Sequence, residues 1–337
     1  SSSRGPADDG RLVPHFSSNG NDLYSVGSGS DTAHANMGGT SMASPSFCGS
    51  MVLLSQMWRR ENGNMQLYPD VAKAVVAVTA QDKYNVGPDY RYGMGIPDVK
   101  AAADFILLNK NSNGKHVLRG AARANDVLEY PLTVTSSTEP LKVVLTWLDV
   151  YANTAASVVL VNDLDLELVD PSNNVHYPYA GLTTTGSQTY QFTTTGPNTR
   201  DNTEVCEVDN PAVGTWTLRV KGTTIPANPQ TGVPNDVVGF VVASSSEVTR
   251  QFQRKEDSLN TGSPVAIPDN QASGLVRTFN INDSRVITGV RVYAHIVHES
   301  RGELDLILTH PDGTSVTLHQ KDPNDTAYDV IGVFPDT

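Results

Sequence analysis

The chain has 337 residues, of which 36 are acidic and 24 basic, for a net charge of −12. That length suits two or three modules with cores of their own, and the negative balance argues against nucleic acid or an anionic membrane as a partner. The longest apolar runs, "AAADFILL" and "VAKAVVAV", fall well short of the roughly 20 residues that a membrane-spanning helix needs.

In chain order, the start "SSSRGP" has no methionine, basic region or apolar stretch, and the end "VIGVFPDT" follows directly on an apolar run, so both ends read as cut. From 41 to 109 the pattern is helical. Phe47, Met51, Leu54 and Trp58 recur on one face, and "PDVAKAVVAVTA" and "PDVKAAADFILL" each open on a Pro-Asp start signal, with the loop "GPDYRYGMGIP" between them. From about 112 the helices stop. "EYPLTV", "LKVVLTWL", "DLDLELV", "TWTLRV" and "VVGFVVA" read as strands of an antiparallel sandwich. Residues 244–263 are almost wholly polar and predict a linker, placed at 251–263, with an uncertain edge strand ahead of it. Strand signals resume in "LVRTFNI", "RVITGVRVYAHIVH", "LDLILTH" and "TSVTLHQ", a third module from 264 to 337. "NDLDLELVDPSNN" and "GELDLILTHPDGT" share a Leu-Asp-Leu pattern that ends in a turn, which suggests two sandwiches of related architecture. The two cysteines, Cys48 and Cys206, fall in different zones and do not form a disulfide framework.

The stretch "GGTSMASPS" at 38–46 crowds hydroxyls at the start of the first helix. Pro45 lacks an N–H and is comfortable only in a first turn, so the helix is predicted to begin close to Ser41. There the unpaired amides and the helix dipole favour an oxyanion developing beside the seryl oxygen. Gly38 and Gly39 leave room for a substrate backbone. One hydroxyl is expected to cap the helix and one to attack.

The string Gly39-Thr40-Ser41-Met42-Ala43-Ser44-Pro45 resembles the nucleophile motif of the subtilases, the subtilisin-like serine peptidases. "SSRGP" at 2–6, "DGRLVP" and "YGMGIPDVKAAADF" are similar to neighbouring family landmarks in the same order, so the resemblance covers residues 1–109. It implies an α/β subtilisin-like fragment with Ser41 as nucleophile and oxyanion N–H donor, supported by Gly39, Thr40, Ser3 and Gly5. At 14–20 the chain departs from the family, with "PHFSSNG" placing His15, Ser17, Ser18 and Asn19 at a normally buried turn where polar groups need partners. The resemblance also implies an Asp, a His and an oxyanion Asn in sequence upstream of Ser1, a partner portion of the same peptidase. His34 and His15 are weaker substitutes, because a loop histidine that close to the nucleophile is usually structural.

"EYPLTVTSSTEPLKVVLTWLDV", "VNDLDLELVDP", "NPAVGTWTLRVKG" and "DNTEVCEV" resemble the C-terminal sandwich of large secreted alkaline subtilases over 112–250. "AIPDN" and "VYAHIVHESRGELDLILTHPDGTSVTLHQ" are similar to the P domain of proprotein convertases, here partial. The fold class is therefore an α/β fragment followed by two all-β, jelly-roll-like modules. Asp163 and Asp165, two apart on a strand, and Asp170 in the following turn are candidate Ca²⁺ ligands, with solvated turn carboxylates as the other reading. His295, His298, His310 and His319 read as surface residues rather than metal ligands. The function expected is an extracellular serine endopeptidase acting on proteins or peptides, nearly inactive as this chain alone. The alternative is a pseudopeptidase whose β modules bind other molecules.

Overall fold

The computed structural model describes residues 2–185, 189–226, 237–249, 265–268, 274–280, 290, 292–328 and 330–334. The linker placed at 251–263 lies outside them. Contacts divide the chain into two units, Ser1–Arg277 and Thr278–Thr337.

The first unit opens with a short hairpin, β1 (Leu23–Val26) with β2 (His34–Met37), and three helices, α1 (Thr40–Glu61), α2 (Pro69–Thr79) and α3 (Val99–Asn111). The two Pro-Asp signals start their helices at different offsets. In α2 Pro69 is itself the first helical residue, where its missing N–H costs nothing. In α3 Asp98 is the cap, and its carboxylate accepts from Ala101 N at 2.9 Å.

Eleven strands follow: β3 (Val117–Ala122), β4 (Val127–Val134), β5 (Leu141–Trp147), β6 (Asp163–Val169), β7 (Val175–His176), β8 (Tyr179–Thr185), β9 (Thr189–Thr195), β10 (Thr203–Val208), β11 (Gly214–Thr224), β12 (Val238–Ser244) and β13 (Glu247–Val248). A four-stranded sheet runs β10-β5-β12-β3 and a five-stranded sheet β13-β4-β11-β6-β7, with β8 and β9 as a separate hairpin. Leu132, Leu164, Leu166, Leu168, Trp216 and Leu218 from the five-stranded sheet meet Leu141, Val143, Leu145, Trp147, Phe240 and Val242 from the four-stranded one in a single core. This is the expected sandwich.

The four-stranded sheet is buried on its other face too. Val117, Val144, Val205, Val241 and Ala243 point away from the sandwich core and join Val71, Ala74, Val75 and Val78 of α2 in a second core. This double burial explains why "LKVVLTW" and "VGFVVA" are apolar without alternation, whereas "DLDLELV" alternates leucines of the sandwich core with carboxylates on its other face, of which Asp165 and Glu167 are buried too. Each fully buried Val contributes about 1.5–3 kcal/mol, so the helices and the sandwich stabilise one another.

In the second unit β14 (Val292–Ile296) pairs with β17 (Val330–Phe334), and β15 (Leu306–Thr309) with β16 (Ser315–His319). "LVRTFNI" carries no strand over its described residues, 275–280. The two Leu-Asp-Leu pieces close alike: Asp170 N donates to Asn174 O at 2.9 Å, and His310 N to Thr314 O at 2.8 Å. His298 Nδ1 lies 2.7 Å from Ser300 O, His310 Nδ1 2.9 Å from Asp312 and His319 Nε2 3.0 Å from Arg301 O, all local contacts. The side chain of His295 lies outside the described set. No described helix is long and apolar enough to cross a membrane.

Candidate active site

α1 begins one residue ahead of Ser41, and its cap is Gly39 rather than a hydroxyl. With φ at 140°, Gly39 occupies backbone space that side chains avoid. Its N–H donates to Gly20 O at 2.6 Å, and its carbonyl accepts from Met42 N at 3.1 Å and Ala43 N at 3.3 Å. The Thr40 and Ser41 amides have no acceptor among the described residues, which leaves them as anion-seeking donors at the positive end of the helix dipole. Ser41 is exposed.

The expectation that one hydroxyl caps the helix is corrected. Thr40, Ser41 and Ser44 are exposed, and no side chain makes the capping bond. Ser46 and Ser50 instead donate to the carbonyls four residues back, Met42 O and Ser46 O, each at 2.9 Å. Pro45 lies one turn further into the helix than a first-turn proline would. Its missing N–H leaves the Ser41 carbonyl without its helical donor.

The loop that leads to Ser41 is buttressed from behind. Gly5, after exposed Ser3, is buried, and a Cβ there would collide with Val13 O; its N–H donates to Tyr90 O at 3.2 Å. The polar 14–20 segment finds partners. His15 O accepts from Met94 N at 2.7 Å, Ser17 N donates to Gly95 O at 3.1 Å and Asn19 Oδ1 accepts from Asn21 N at 3.1 Å. Phe16 stacks on Phe47 of α1, ring centroids 5.5 Å apart. Gly93, at φ 69°, allows the approach, because a Cβ would strike the His15 backbone. "YGMG" thus holds the segment that supports the helix start.

Neither candidate histidine is joined to Ser41 by a hydrogen bond among the described residues. His34 stacks on Tyr24 at 5.2 Å, and its Nδ1 lies 3.0 Å from Thr32 O. Burial, with the Lys73 and Arg11 charges, pushes His15 down to about 4, so its imidazole is neutral and weakly basic at pH 7.

Sequence reasoning missed the residues that fasten this region to the sandwich. Buried Asp201 accepts from Leu12 N at 2.7 Å and from Asn198 Nδ2 at 3.1 Å. Lys73 of α2 donates to Asn202 Oδ1 at 3.2 Å and Thr203 Oγ1 at 3.1 Å, and burial pushes it down to about 8, against the pull of Asp201. "DNTEVCEV" was the available signal, since polar residues inside a strand-like run need a reason.

The three candidate calcium ligands separate. Asp163 and Asp165 share the side of β6 opposite Leu164 and Leu166, as their spacing requires. Asp170 is a turn residue. It accepts from Ser172 N, Asn174 N and Asn174 Nδ2, each at 2.8 Å, and the Asn174 bonds hold its carboxyl below the ordinary range. No three described His, Cys, Asp or Glu side chains are gathered tightly enough to hold a metal as they stand.

An exposed seryl hydroxyl beside an amide with no acceptor among the described residues, at a glycine-opened helix start, is the geometry a serine nucleophile needs. Residues 1–95 match the subtilase family model and residues 287–331 the proprotein convertase P-domain model. The chain thus carries one segment similar to the subtilases and another similar to the P domain of proprotein convertases. A PI-type proteinase of Lactococcus lactis subsp. cremoris is 31% identical over 156 residues, covering 40% of this chain and 8% of the relative. A PIII-type proteinase of strain SK11 is 33% identical over 126 residues, covering 33% and 6%. The chain therefore spans under a tenth of the length of these relatives. A periplasmic lysozyme inhibitor of Aeromonas hydrophila, 16% identical over 41% of this chain, aligns at a TM-score of 0.20, which carries no argument.

Proposed function

We propose that the chain is part of a secreted, subtilisin-like serine endopeptidase, carrying the C-terminal part of its catalytic domain, in which Ser41 Oγ attacks the carbonyl of a protein or peptide substrate. A histidine takes the seryl proton, an aspartate sets that histidine's tautomer, and the Ser41 N–H with an asparagine side chain receives the oxyanion. The histidine, aspartate and asparagine come from polypeptide outside these 337 residues, whose catalytic contribution here is Ser41 and its amide. The observation that carries this reading is the exposed Ser41 with an unpaired amide. Exposed Val52 and Leu53 on α1 support it, as an apolar face ready to receive the rest of the catalytic domain. The sandwich, read as jelly-roll-like, braces the helices. Without the base, turnover falls by about 10⁶, and the chain alone is nearly inert.

The test is a fluorophosphonate probe applied to a longer polypeptide containing this chain and to the chain alone. Labelling at Ser41 in the first but not the second is expected. A folded longer polypeptide that stays unlabelled would favour the second reading, a non-catalytic scaffold, which draws support from the lack of any described imidazole bonded to Ser41.

A further inference from the structure

Segment 14–20, where the chain departs from the subtilase pattern, ends on Asn19-Gly20, one of three Asn-Gly pairs with Asn62-Gly63 and Asn113-Gly114. In such a pair the glycine nitrogen can attack the asparagine side-chain carbonyl carbon, because no Cβ stands beside the attacking atom. The attack needs a backbone N–H that is not engaged, a side-chain amide free to leave, and the two groups held close. The three pairs differ on these counts.

Asn19 is exposed, and its Oδ1 accepts from Asn21 N at 3.1 Å, closing a ring that contains both the Asn19 Cγ and the Gly20 nitrogen. The same bond stabilises the negative charge that gathers on Oδ1 when Cγ is attacked. Neither the Gly20 N–H nor the Asn19 Nδ2 has an acceptor among the described residues. The other two pairs are restrained. Gly114 N donates to Asn109 O at 2.7 Å, and Asn109 is itself fixed, buried with its Oδ1 taken by the His116 and Val117 amides. Asn62 is held through both its backbone and its side-chain nitrogen by Trp58 O, each at 2.9 Å.

What lies behind Asn19 gives the reaction a consequence. Gly20 O accepts from Gly39 N at 2.6 Å, and a Cβ on Gly20 would stand 2.5 Å from Gly39 O, so residue 20 is seated directly against the cap of α1.

We propose that Asn19 is a site of spontaneous deamidation that loosens the start of α1. The Gly20 nitrogen bonds to Asn19 Cγ, the Cγ–Nδ2 bond breaks, and Nδ2 leaves as ammonia with the Gly20 proton. Water then opens the cyclic imide. Addition at Cγ breaks its bond to nitrogen and gives aspartate; addition at the main-chain carbonyl breaks the original peptide bond and gives isoaspartate, whose backbone is one methylene longer. Nothing is oxidised or reduced, and no step uses Ser41. Isoaspartate displaces the carbonyl that holds Gly39 N.

The full chain is incubated at mildly alkaline pH, folded and in guanidinium chloride, and tandem mass spectrometry follows the gain of about 1 Da at each pair. In the folded chain Asn19 is expected to convert at least tenfold faster than Asn62 or Asn113, and faster still as pH rises, because the deprotonated amide attacks. In guanidinium chloride the three should convert at similar rates. Hydrogen exchange over residues 38–40 should quicken in the aged wild-type chain but not in aged Asn19→Gln, whose longer side chain closes the ring far more slowly. Equal rates at the three pairs in the folded chain, or conversion of Asn19 only when unfolded, would overturn the proposal. Unchanged exchange over 38–40 in fully converted chain would overturn its effect on α1.

Discussion

α1 and α2 are consecutive helices of one family segment, yet their surroundings differ. α2 buries six of its residues, because the four-stranded sheet covers the side that faces away from the other helices. α1 is twice as long and buries only Leu54 and Trp58, while Val52 and Leu53 are 62% and 58% exposed. One helix is anchored and finished. The other carries Ser41, the proposed nucleophile, and its Val52 and Leu53 are free of cover among the described residues. The lesson is that the sandwich shares a core with the helical segment that carries Ser41 rather than being an appendage to it.

Substitutions separate the two roles. The largest effect is expected for Ser41→Ala, which should abolish probe labelling and cut turnover by about 10⁶ in a catalytically complete polypeptide. Its melting temperature should stay unchanged, and a large drop would mean that Ser41 holds the helix together. Next, Val76→Asp places a charge where exposure is 1% and should cost about 4 kcal/mol or more in urea unfolding, enough to unfold the first unit. A shift under 1 kcal/mol would show that α2 is not anchored.

The third effect is a pH dependence. The folded-state pKa of His15, about 4, lies below its ordinary value of 6.5, so the unfolded chain binds the extra proton first and stability is lost as pH falls from 6.5 toward 4. The loss should reach about 2 kcal/mol by pH 5. His15→Gln should remove that component, and parallel unfolding curves for the two proteins across this window would refute the assignment. Fourth, Asp201→Ala releases Leu12 N and should cost about 1–2 kcal/mol by denaturant unfolding. The smallest effect belongs to Val52→Asp on α1, expected within 0.5 kcal/mol for this chain but weakening association with the remainder of the catalytic domain in pull-down. Equal costs for Val52→Asp and Val76→Asp would erase the contrast.

Much of this was legible beforehand. The string around Ser41 stands at a helix start, and all seven residues of "DLDLELV" form β6, because alternation at period two marks a strand, although the acidic face it predicted to be wet is largely buried. The paired Leu-Asp-Leu turns close with the same local hydrogen bond. Other features were not legible. That Gly39 caps α1, that Asp170 accepts hydrogen bonds within its own turn, and that Glu204 lies near Asp163 and Asp165 all depend on which groups meet after folding. The absence of alternation in "LKVVLTW" was a visible hint of a sheet covered on both faces, but it did not say which helix covers it.

The sequence by itself determined the local grammar of this protein: a glycine-opened helix start bearing Ser41, the Pro-Asp helix openings and the strand periodicities. Those signals come from backbone sterics and side-chain spacing within a few residues. Only the tertiary structure decided that the sandwich shares a core with α2, that Asp201 fastens the segment around Leu12, and that carboxylates of β6 and β10 are enclosed near one another. These pairings join residues far apart in the chain, and burial, which sets their charge and energy, exists only once the surfaces have met.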